Sequence, residues 1–383
     1  MSRVRDHLLA CTALGTFLLL CVATNGCKKE EGGARGKTLV TLGAVLPLTG
    51  EVANWGKDSS NGVDLAIDEA NRRSAKYTFR VAYEDSKGKA AEAVGAVRKL
   101  VDVDKVVGII GDNISGPTVA MVPVADAAKV PVISPSASSP KLSGMSKYFF
   151  RVYPSDTAEG GFMAEVAATK LGLKKVAILY INNDFGVGLR DVFSKGFTAK
   201  GGQIVSAQGY NEDQTDFRPY LTRVQEAGPD GIYLAGYYKD GGAILKQARE
   251  LGINARFLGS TTHEDPQLIT IGGDAADGLV YPYSTGYDED SADKAVVDFN
   301  TAFKTKYGKG PGLIAALGYD CASLLVDAIE ARGPSGETIR DFLANTKGYH
   351  GATGEITFDE SGDVHKPILL KTVQAGKFVV WKP

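Results

Sequence analysis

The sequence predicts an α/β fold with two successive, doubly wound parallel sheets. From Thr38 onward, short runs rich in β-branched residues alternate with longer helical stretches. Such a βαβ series forms a parallel sheet covered by helices on both faces. The series restarts after residues 149–154, which divides it into two halves, and a chain of 383 residues is long enough for two or three stable cores. We therefore expect two lobes of similar size.

The elements follow one another regularly in both halves. In the first half, strands are expected at residues 39–46, 78–85, 106–111 and 130–134, with helices at 58–72, 90–103 and 118–129. In the second half, strands are expected at 175–180, 203–207, 231–236, 256–259 and 279–283, with helices at 158–171, 188–200, 216–227 and 242–251. Helices at 292–307, 313–331 and 338–345 and a β-rich tail at 355–358 and 368–381 come last, so we expect these elements to return to one or both sheets.

The N-terminus has the pattern of a targeting segment. Two arginines precede an apolar run at residues 8–24, which is short for a membrane span and typical of a signal-peptide core. Small residues then lead to Cys27, so residues 1–26 resemble a bacterial lipoprotein signal and Cys27 the lipidated mature N-terminus. Thr24 stands where such signals usually have leucine, and a simple secretory signal or an uncleaved anchor are the alternatives.

Charge and cysteine content narrow the class further. With 43 Lys+Arg against 45 Asp+Glu, the formal net charge is −2, so no nucleic-acid partner is expected. Residues 27–37 are polar and glycine-rich, which indicates a flexible tether. Beyond the N-terminal segment only Cys321 remains, within an apolar helical pattern. It is predicted to be a buried hydrophobic residue, and no intramolecular disulfide is expected.

Two loops on consecutive strands of the first half suggest an anion site. Ser115 is predicted to cap a helix that has Pro117 in its first turn, and a helix N-terminus favours a carboxylate or a phosphate. The next strand ends in the hydroxyl-rich residues 133–140. Ligands of open parallel sheets bind outside the carboxyl ends of the strands, where these loops should meet. Ordinary caps or turns are the alternative for each loop alone.

Aromatic residues lie in the loops that follow other strands. If rings from both halves converge, they form an apolar pocket around the anion site, whereas each ring alone is more often part of the core. These residues are Trp55, Phe185, Tyr237, Tyr238, Tyr281 and Tyr283.

Motifs for catalysis are weak. The sequence has no dinucleotide fingerprint, no phosphate-loop pattern and no nucleophile elbow, so we expect neither an enzyme nor a cofactor. His263 could supply a charged group to a pocket, although Asp265-Pro266 next to it also has the pattern of an N-cap followed by a helix. His350 and His365 are interpreted as solvated loop residues, and no catalytic residue or metal site is predicted.

Several longer motifs together resemble a known family. They are GAVLPLTG at residues 43–50, ISPSASSP at 133–140, NDFGVG at 183–188, LKQARELG at 245–252 and GEITFDESG at 354–362. From about Thr38 to the C-terminus, the chain is similar to the type I periplasmic solute-binding proteins, in the branch of the leucine/isoleucine/valine-binding proteins of ABC importers. The resemblance implies a periplasmic, membrane-anchored lipoprotein that captures a small amino acid or related carboxylate and delivers it to an ABC permease. A sensor of the same fold, signalling to a membrane partner, is the alternative.

The resemblance also implies how the chain is divided. Two lobes close like a hinge, and they are joined by three crossings near residues 153–156, 283–287 and 358–362. The first lobe would comprise residues 38–154 and 286–358, and the second lobe residues 155–285 and 359–383.

Site residues are carried over from the family by position. Ser115 and Ser138 would bind the ligand carboxylate, and the carbonyl of Ser136 would accept a hydrogen bond from the ligand ammonium. Trp55 and Phe185 would cover the ligand side chain from opposite lobes, while Tyr237 would line the second lobe.

One position departs from the family pattern. Relatives specific for branched-chain amino acids usually carry a glutamate after the strand at 256–259, whereas this chain has Thr261 there. An ammonium without a partner in a closed pocket costs several kcal/mol. Either Glu264 or Asp184 therefore takes this role, or the ligand is not a plain α-amino acid.

Overall fold

A computed structural model describes residues 36–284 and 287–382 of the chain, with only the backbone described at Ser284. The expected signal peptide, the lipid site at Cys27 and residues 28–35 of the tether lie outside these ranges. None of the helices in the described ranges is long and apolar enough to cross a membrane.

The first sheet is parallel throughout, with strand order β2-β1-β3-β4-β5. Its strands and the helices between them are β1 (Thr38–Leu46), α1 (Ala53–Arg73), β2 (Tyr77–Asp85), α2 (Ala90–Asp102), β3 (Ile109–Gly111), α3 (Ser115–Ala127), β4 (Val132–Ser134) and β5 (Phe149–Arg151). Because β1 and β3 are paired on both sides and buried, they consist mainly of apolar residues, as a doubly covered sheet requires.

The second sheet has seven strands in the order β14-β13-β10-β9-β8-β6-β7. Its parallel part consists of the strands β6 (Lys175–Ile181), β7 (Gln203–Tyr210), β8 (Gly231–Ala235), β9 (Arg256–Leu258) and β10 (Val280–Ser284). Helix α4 (Asp156–Glu165) precedes these strands, and the helices between them are α5 (Asp184–Ala199), α6 (Arg218–Glu226), α7 (Tyr238–Glu250) and α8 (Pro266–Gly272). The α/β fold with two parallel sheets is thereby confirmed.

The late elements return to both sheets. They are α9 (Lys294–Tyr307), α10 (Leu313–Arg332), α11 (Gly336–Ala344), the hairpin of β11 (Tyr349–Gly351) and β12 (Gly354–Ile356), and the strands β13 (Ile368–Gln374) and β14 (Lys377–Val380). Helices α10 and α11 pack in the core of the first sheet, while β13 and β14 extend the second sheet by antiparallel pairing. We call the first sheet with α1–α3 and α9–α11 the first lobe, and the second sheet with α4–α8 the second lobe.

Glycines permit the close contact between α1 and α10 that fixes this return. A Cβ atom at Gly62 would lie 1.9 Å from the Ala315 carbonyl oxygen, and one at Gly318 would lie 2.4 Å from the Ser59 carbonyl oxygen. Both distances are far below van der Waals contact, so neither helix accepts a larger residue here. Cys321 lies buried and free beside this contact, as the apolar pattern predicts.

The chain passes between the lobes on three occasions within the described ranges. The first passage lies between β5 and α4, the second between β10 and α9, and the third between β12 and β13. They bring the carboxyl ends of strands from both sheets to one cleft.

Candidate functional site

A cleft of about 620 Å³ lies between the lobes and is lined from both of them. Every predicted site residue except Asp184 lines it, namely Trp55, Ser115, Ser136, Ser138, Phe185, Tyr237, Thr261 and Glu264. Tyr283, from the predicted set of aromatic residues, also lines it. Residues that were not predicted line it as well, among them Asn113, Tyr153, Asp156, Glu159 and Lys371.

The two serine loops are joined directly to each other. Helix α3 begins at Ser115 and its N-cap is Ile114, so the prediction that Ser115 caps the helix is wrong. The Ser115 hydroxyl instead accepts hydrogen bonds from the backbone N–H groups of Ser138 at 3.3 Å and Ser139 at 3.1 Å. Ser115 and Ser138 are therefore neighbours beside the start of α3, where the first backbone N–H groups have no partner within the helix.

Asn113 extends this polar wall of the cleft. Its side-chain nitrogen donates to the hydroxyls of Ser59 at 2.9 Å and Ser136 at 3.0 Å, and the Ser136 hydroxyl donates to the Asn113 carbonyl at 3.1 Å. The Oδ1 atom of Asn113 is buried and has no hydrogen-bond partner among the described residues. The sequence signal for Asn113 was its position two residues before Ser115, after a buried strand.

A buried ion pair supports the serine loop from behind. Arg151 is fully buried and donates to both carboxylate oxygens of Asp363, from Nε at 2.7 Å and from Nη2 at 2.9 Å. Its Nη1 atom donates to the carbonyls of Ala137 at 3.3 Å and Ser139 at 3.0 Å. One side chain therefore fixes the loop that carries Ser138 and joins it to the third passage between the lobes.

Aromatic rings from both lobes converge at the cleft. Trp55 of α1 meets Tyr237 with ring centroids 5.5 Å apart and perpendicular planes, and Tyr237 stacks on Phe185 at 5.3 Å. All three side chains are buried. The convergence gives the cleft an apolar wall next to the polar one.

Direct hydrogen bonds join the lobes beside these rings. The Tyr238 hydroxyl donates to Asn54 Oδ1 at 2.9 Å, and Asn54 Nδ2 donates to Asp265 Oδ2 at 2.9 Å. Asp265 is also the N-cap of α8, which confirms that alternative for the Asp265-Pro266 pattern. The lobes are thus in contact across the cleft.

Two carboxyl groups of α4 lie at the cleft, and the sequence analysis missed both. Asp156 is 1% exposed and Glu159 is 3% exposed. The backbone N–H of Asp156 donates to the Ser138 carbonyl at 2.8 Å, which puts Asp156 next to the serine loop. Glu159 accepts from the backbone N–H of Thr261 at 2.9 Å and from the Tyr153 hydroxyl at 3.0 Å.

Burial dominates the electrostatics of these two groups. It raises the pKa of Asp156 well above its ordinary value, and the nearby Glu159 raises it further. Burial likewise raises the pKa of Glu159, against the hydrogen bonds from Thr261 and Tyr153. Acidic residues in a first helical turn are common because they favour the helix dipole, so the sequence alone gave no reason to single them out.

The two carboxylates proposed to replace the family's glutamate already have cationic partners. Glu264 forms an ion pair with Lys371 and accepts from the Tyr281 hydroxyl at 2.8 Å. Asp184 forms an ion pair with Lys141 at 2.6 Å and does not line the cleft.

His263 does not supply a charge to the cleft. It is fully buried, and burial lowers its pKa to about 4, so the ring is neutral near pH 7. No group of acidic, histidine or cysteine residues suited to a metal ion occurs in the part of the chain that the structure describes.

Two α/β lobes, three passages between them and a cleft walled by both lobes define a class, the solute-binding proteins that hold a small molecule between hinged lobes. Comparison with known sequences identifies the family within that class. The chain belongs to the family described as "Periplasmic binding protein", which matches residues 39–377. This is a family of solute-binding proteins rather than enzymes, and membership implies an extracytoplasmic location.

Relatives with different ligands are similar to the chain. The leucine-, isoleucine-, valine-, threonine- and alanine-binding protein of Pseudomonas aeruginosa is 28% identical over 83% of this chain and 85% of its own length. The branched-chain amino acid transporter substrate-binding protein LivJ of Streptococcus pneumoniae, solved with isoleucine, is 30% identical, with a TM-score of 0.81 over 91% of this chain and 100% of that one. A solute-binding protein of an ABC transporter from Rhodopseudomonas palustris, solved with 3,4-dihydroxybenzoic acid, is 28% identical, with a TM-score of 0.79 over 89% and 95%.

Proposed function

We propose that this protein captures a small amino acid, branched-chain or related, by closure of its lobes and delivers it unchanged to an ABC importer. The observation that carries the proposal is the hydrogen-bonded junction of Ser115 with the Ser138 loop, opposite rings contributed by both lobes. A carboxylate suits the serine edge, and an apolar side chain suits the rings. Closure follows from binding, since only the closed form contacts the ligand from both sides.

The roles proposed within the cleft are those that the family resemblance implies, and they are supported by the position of these residues in the cleft lining. Ser115 and Ser138 bind the ligand carboxylate through their hydroxyl groups, together with the first backbone N–H groups of α3, and the Ser136 carbonyl accepts from the ligand. The Ser138 N–H donates to the Ser115 hydroxyl instead. Trp55 and Phe185 cover the ligand side chain, with Tyr237 between them. No chemical step is assigned to any of these residues.

We further propose that the protein is a lipoprotein. Residues 1–26 would be removed as a signal peptide, Cys27 would carry the lipid, and residues 27–37 would serve as a tether. The lobes would comprise residues 38–154 with 286–358, and 155–285 with 359–383. Electrospray mass spectrometry of the membrane-extracted protein tests this proposal. If Cys27 is lipidated, the measured mass exceeds that of residues 27–383 by the mass of the acyl chains.

Replacement of Ser138 by alanine tests whether Ser138 binds the ligand carboxylate. First, a thermal-shift screen of the twenty L-amino acids and of aliphatic and aromatic carboxylates identifies what raises the melting temperature by mass action. Ser138→Ala then weakens calorimetric binding of the best compound by about 1–3 kcal/mol, because a hydrogen bond to a charged group is lost. Ser206→Ala, on β7 and outside the cleft, is the control and leaves affinity unchanged. Equal affinities for both variants would contradict the assignment.

An aromatic carboxylate is the second candidate ligand. The Rhodopseudomonas palustris relative was solved with 3,4-dihydroxybenzoic acid, and the ring cluster of this chain offers a stacking surface for such a molecule. The same screen separates the candidates, since a benzoate carries a carboxylate but no ammonium.

A further inference from the structure

The acidic pair formed by Asp156 and Glu159 differs from the other buried charges of the cleft. Both groups line the cleft, and both are almost completely buried. Among the described residues, neither carboxyl forms an ion pair, and Asp156 Oδ2 has no hydrogen-bond partner. The positive charge that acts on Asp156 is that of Arg151, which is bound to Asp363. Asp156 is hydrogen-bonded by the Ser138 side chain, and Glu159 accepts from Thr261 and Tyr153. Burial of two neighbouring carboxyl groups without a cation is nevertheless costly, so their retention calls for a function.

The contacts of the Thr261 hydroxyl are all satisfied when the acidic pair holds a proton. The Thr261 hydroxyl oxygen lies 2.9 Å from Glu159 Oε2 and 2.8 Å from the Pro282 carbonyl oxygen. A hydroxyl has one proton to donate and a carbonyl oxygen only accepts. Both contacts are hydrogen bonds at once if Thr261 donates to Pro282 and a protonated Glu159 donates to Thr261.

The location of the pair matches the shape of one class of ligand. An α-amino acid carries its ammonium and its carboxylate on the same carbon atom, so the two binding sites must be neighbours. Asp156 meets that condition, because its backbone N–H donates to the Ser138 carbonyl at 2.8 Å. Glu264 and Asp184 are less suitable, since each is neutralised by a lysine.

We infer that Asp156 and Glu159 together receive the ammonium group of the ligand and thereby select zwitterionic amino acids against carboxylates that lack a cation. The inference rests on the proposed function and names the ligand class of that same cleft. Thr261 then acts as a positioning residue, because its N–H and hydroxyl orient Glu159. The ammonium takes the place of the shared proton, which passes to solvent.

Matched pairs of ligands test this inference. L-leucine is compared with 4-methylpentanoate, and L-phenylalanine with 3-phenylpropanoate, since each acid lacks only the ammonium group. In calorimetry, the wild type is expected to bind at least one amino acid about ten- to a hundredfold more tightly than its matched acid. Glu159→Gln is expected to weaken binding of that amino acid by a similar factor and to leave binding of the acid unchanged or tighter.

A second variant and a control keep the test decisive. Asp156→Asn is expected to act in the same direction, and it serves alone if Glu159→Gln does not fold. Glu165→Gln is the control, because Glu165 is an acidic residue of the same helix α4 that is exposed and lies outside the cleft lining. Its affinity for each ligand is expected to equal that of the wild type.

The outcomes separate the inference from the proposed function. If the wild type binds an amino acid and both variants bind it equally well, the inference is overturned while amino-acid capture stands. If either matched acid or 3,4-dihydroxybenzoate binds as tightly as the amino acids, selection of zwitterions is overturned while solute binding stands. If none of these compounds binds, both the inference and the proposed function are overturned.

Discussion

The two buried charged pairs on either side of the first passage between the lobes are opposites. On β5, Arg151 meets Asp363 in a two-point ion pair that also supports the serine loop. At the start of α4, Asp156 and Glu159 are two acids together, equally buried, with no cation bound to either in the ranges that the structure describes. Arg151 and Asp156 are only five positions apart in the sequence.

This difference shows how a buried charge that supports the fold can be distinguished from one that binds a ligand. A buried charge that supports the fold has its partner within the chain, because an unpaired charge would destabilise the folded state by several kcal/mol. A buried charge whose partner is absent from the chain destabilises the free protein, and a bound ligand of opposite charge can offset that destabilisation. Removal of a charge should therefore have opposite effects on stability in the two pairs.

Replacement of Arg151 is expected to produce the largest change. Arg151→Met leaves Asp363 buried without its cation and removes the donors to the carbonyls of Ala137 and Ser139. Loss of one partner from a buried ion pair costs about 3–5 kcal/mol. The free energy of unfolding, measured by urea titration, should fall by that amount.

An exposed ion pair provides the control for this measurement. Lys294 and Asp298 are paired on the surface of α9, and both side chains are largely exposed. Lys294→Met should change the free energy of unfolding by less than about 1 kcal/mol. A similar small value for Arg151→Met would mean that the buried pair does not support the serine loop.

The features of the cleft differ in how far the sequence could predict them. The alternation of strands and helices predicted both sheets, and the rule that ligands bind at strand ends predicted the positions of Ser115 and Trp55, because these are local patterns. Glu159 contacts Thr261 across 102 positions of sequence. No local pattern reports such a contact. The sequence therefore shows that Thr261 stands where the family has a glutamate, but not that a buried carboxyl contacts Thr261.

The same limit applies to Glu264 and to the cap at α3. Glu264 was predicted to be available for a ligand ammonium. Its partner Lys371 lies on β13, which joins the second sheet only after the chain has returned from the first lobe, so no local pattern shows this ion pair. Ser115 looked like a cap because the residue type and Pro117 fit one, but its hydroxyl is used by the neighbouring loop. Both facts depend on packing between distant segments.

Replacement of Glu159 should give a smaller change of opposite sign. Burial raises the pKa of Glu159 in the folded state, so above about pH 4.3 the unfolded chain releases a proton that the folded chain keeps. Stability of the wild type therefore falls as pH rises through this range, by roughly 1.4 kcal/mol for each unit by which the pKa is raised. Glu159→Gln removes this penalty and should raise the melting temperature of the ligand-free protein at pH 8.

A pH series identifies the cause of that stabilisation. The difference in melting temperature between Glu159→Gln and the wild type should be largest at pH 8 and should vanish near pH 4, where both states of the wild type are protonated. The groups that face the pair include Arg151, Tyr153 and Tyr233. Burial raises the pKa of both tyrosines well above their ordinary value, so neither hydroxyl titrates over this range or mimics the effect. A difference that is independent of pH would point to packing instead of charge.

Replacement of Lys141 is expected to have the smallest effect on ligand affinity. Because Lys141 pairs with Asp184, it also tests which carboxylate binds the ligand ammonium. Lys141 is exposed, and its ion pair with Asp184 lies outside the cleft lining. If the pair formed by Asp156 and Glu159 receives the ammonium, Lys141→Met should change calorimetric affinity for the bound amino acid by less than about fivefold, since exposed ion pairs contribute about 0–1 kcal/mol. If Asp184 receives the ammonium instead, removal of its competing lysine should tighten binding clearly, and Glu159→Gln should then have little effect.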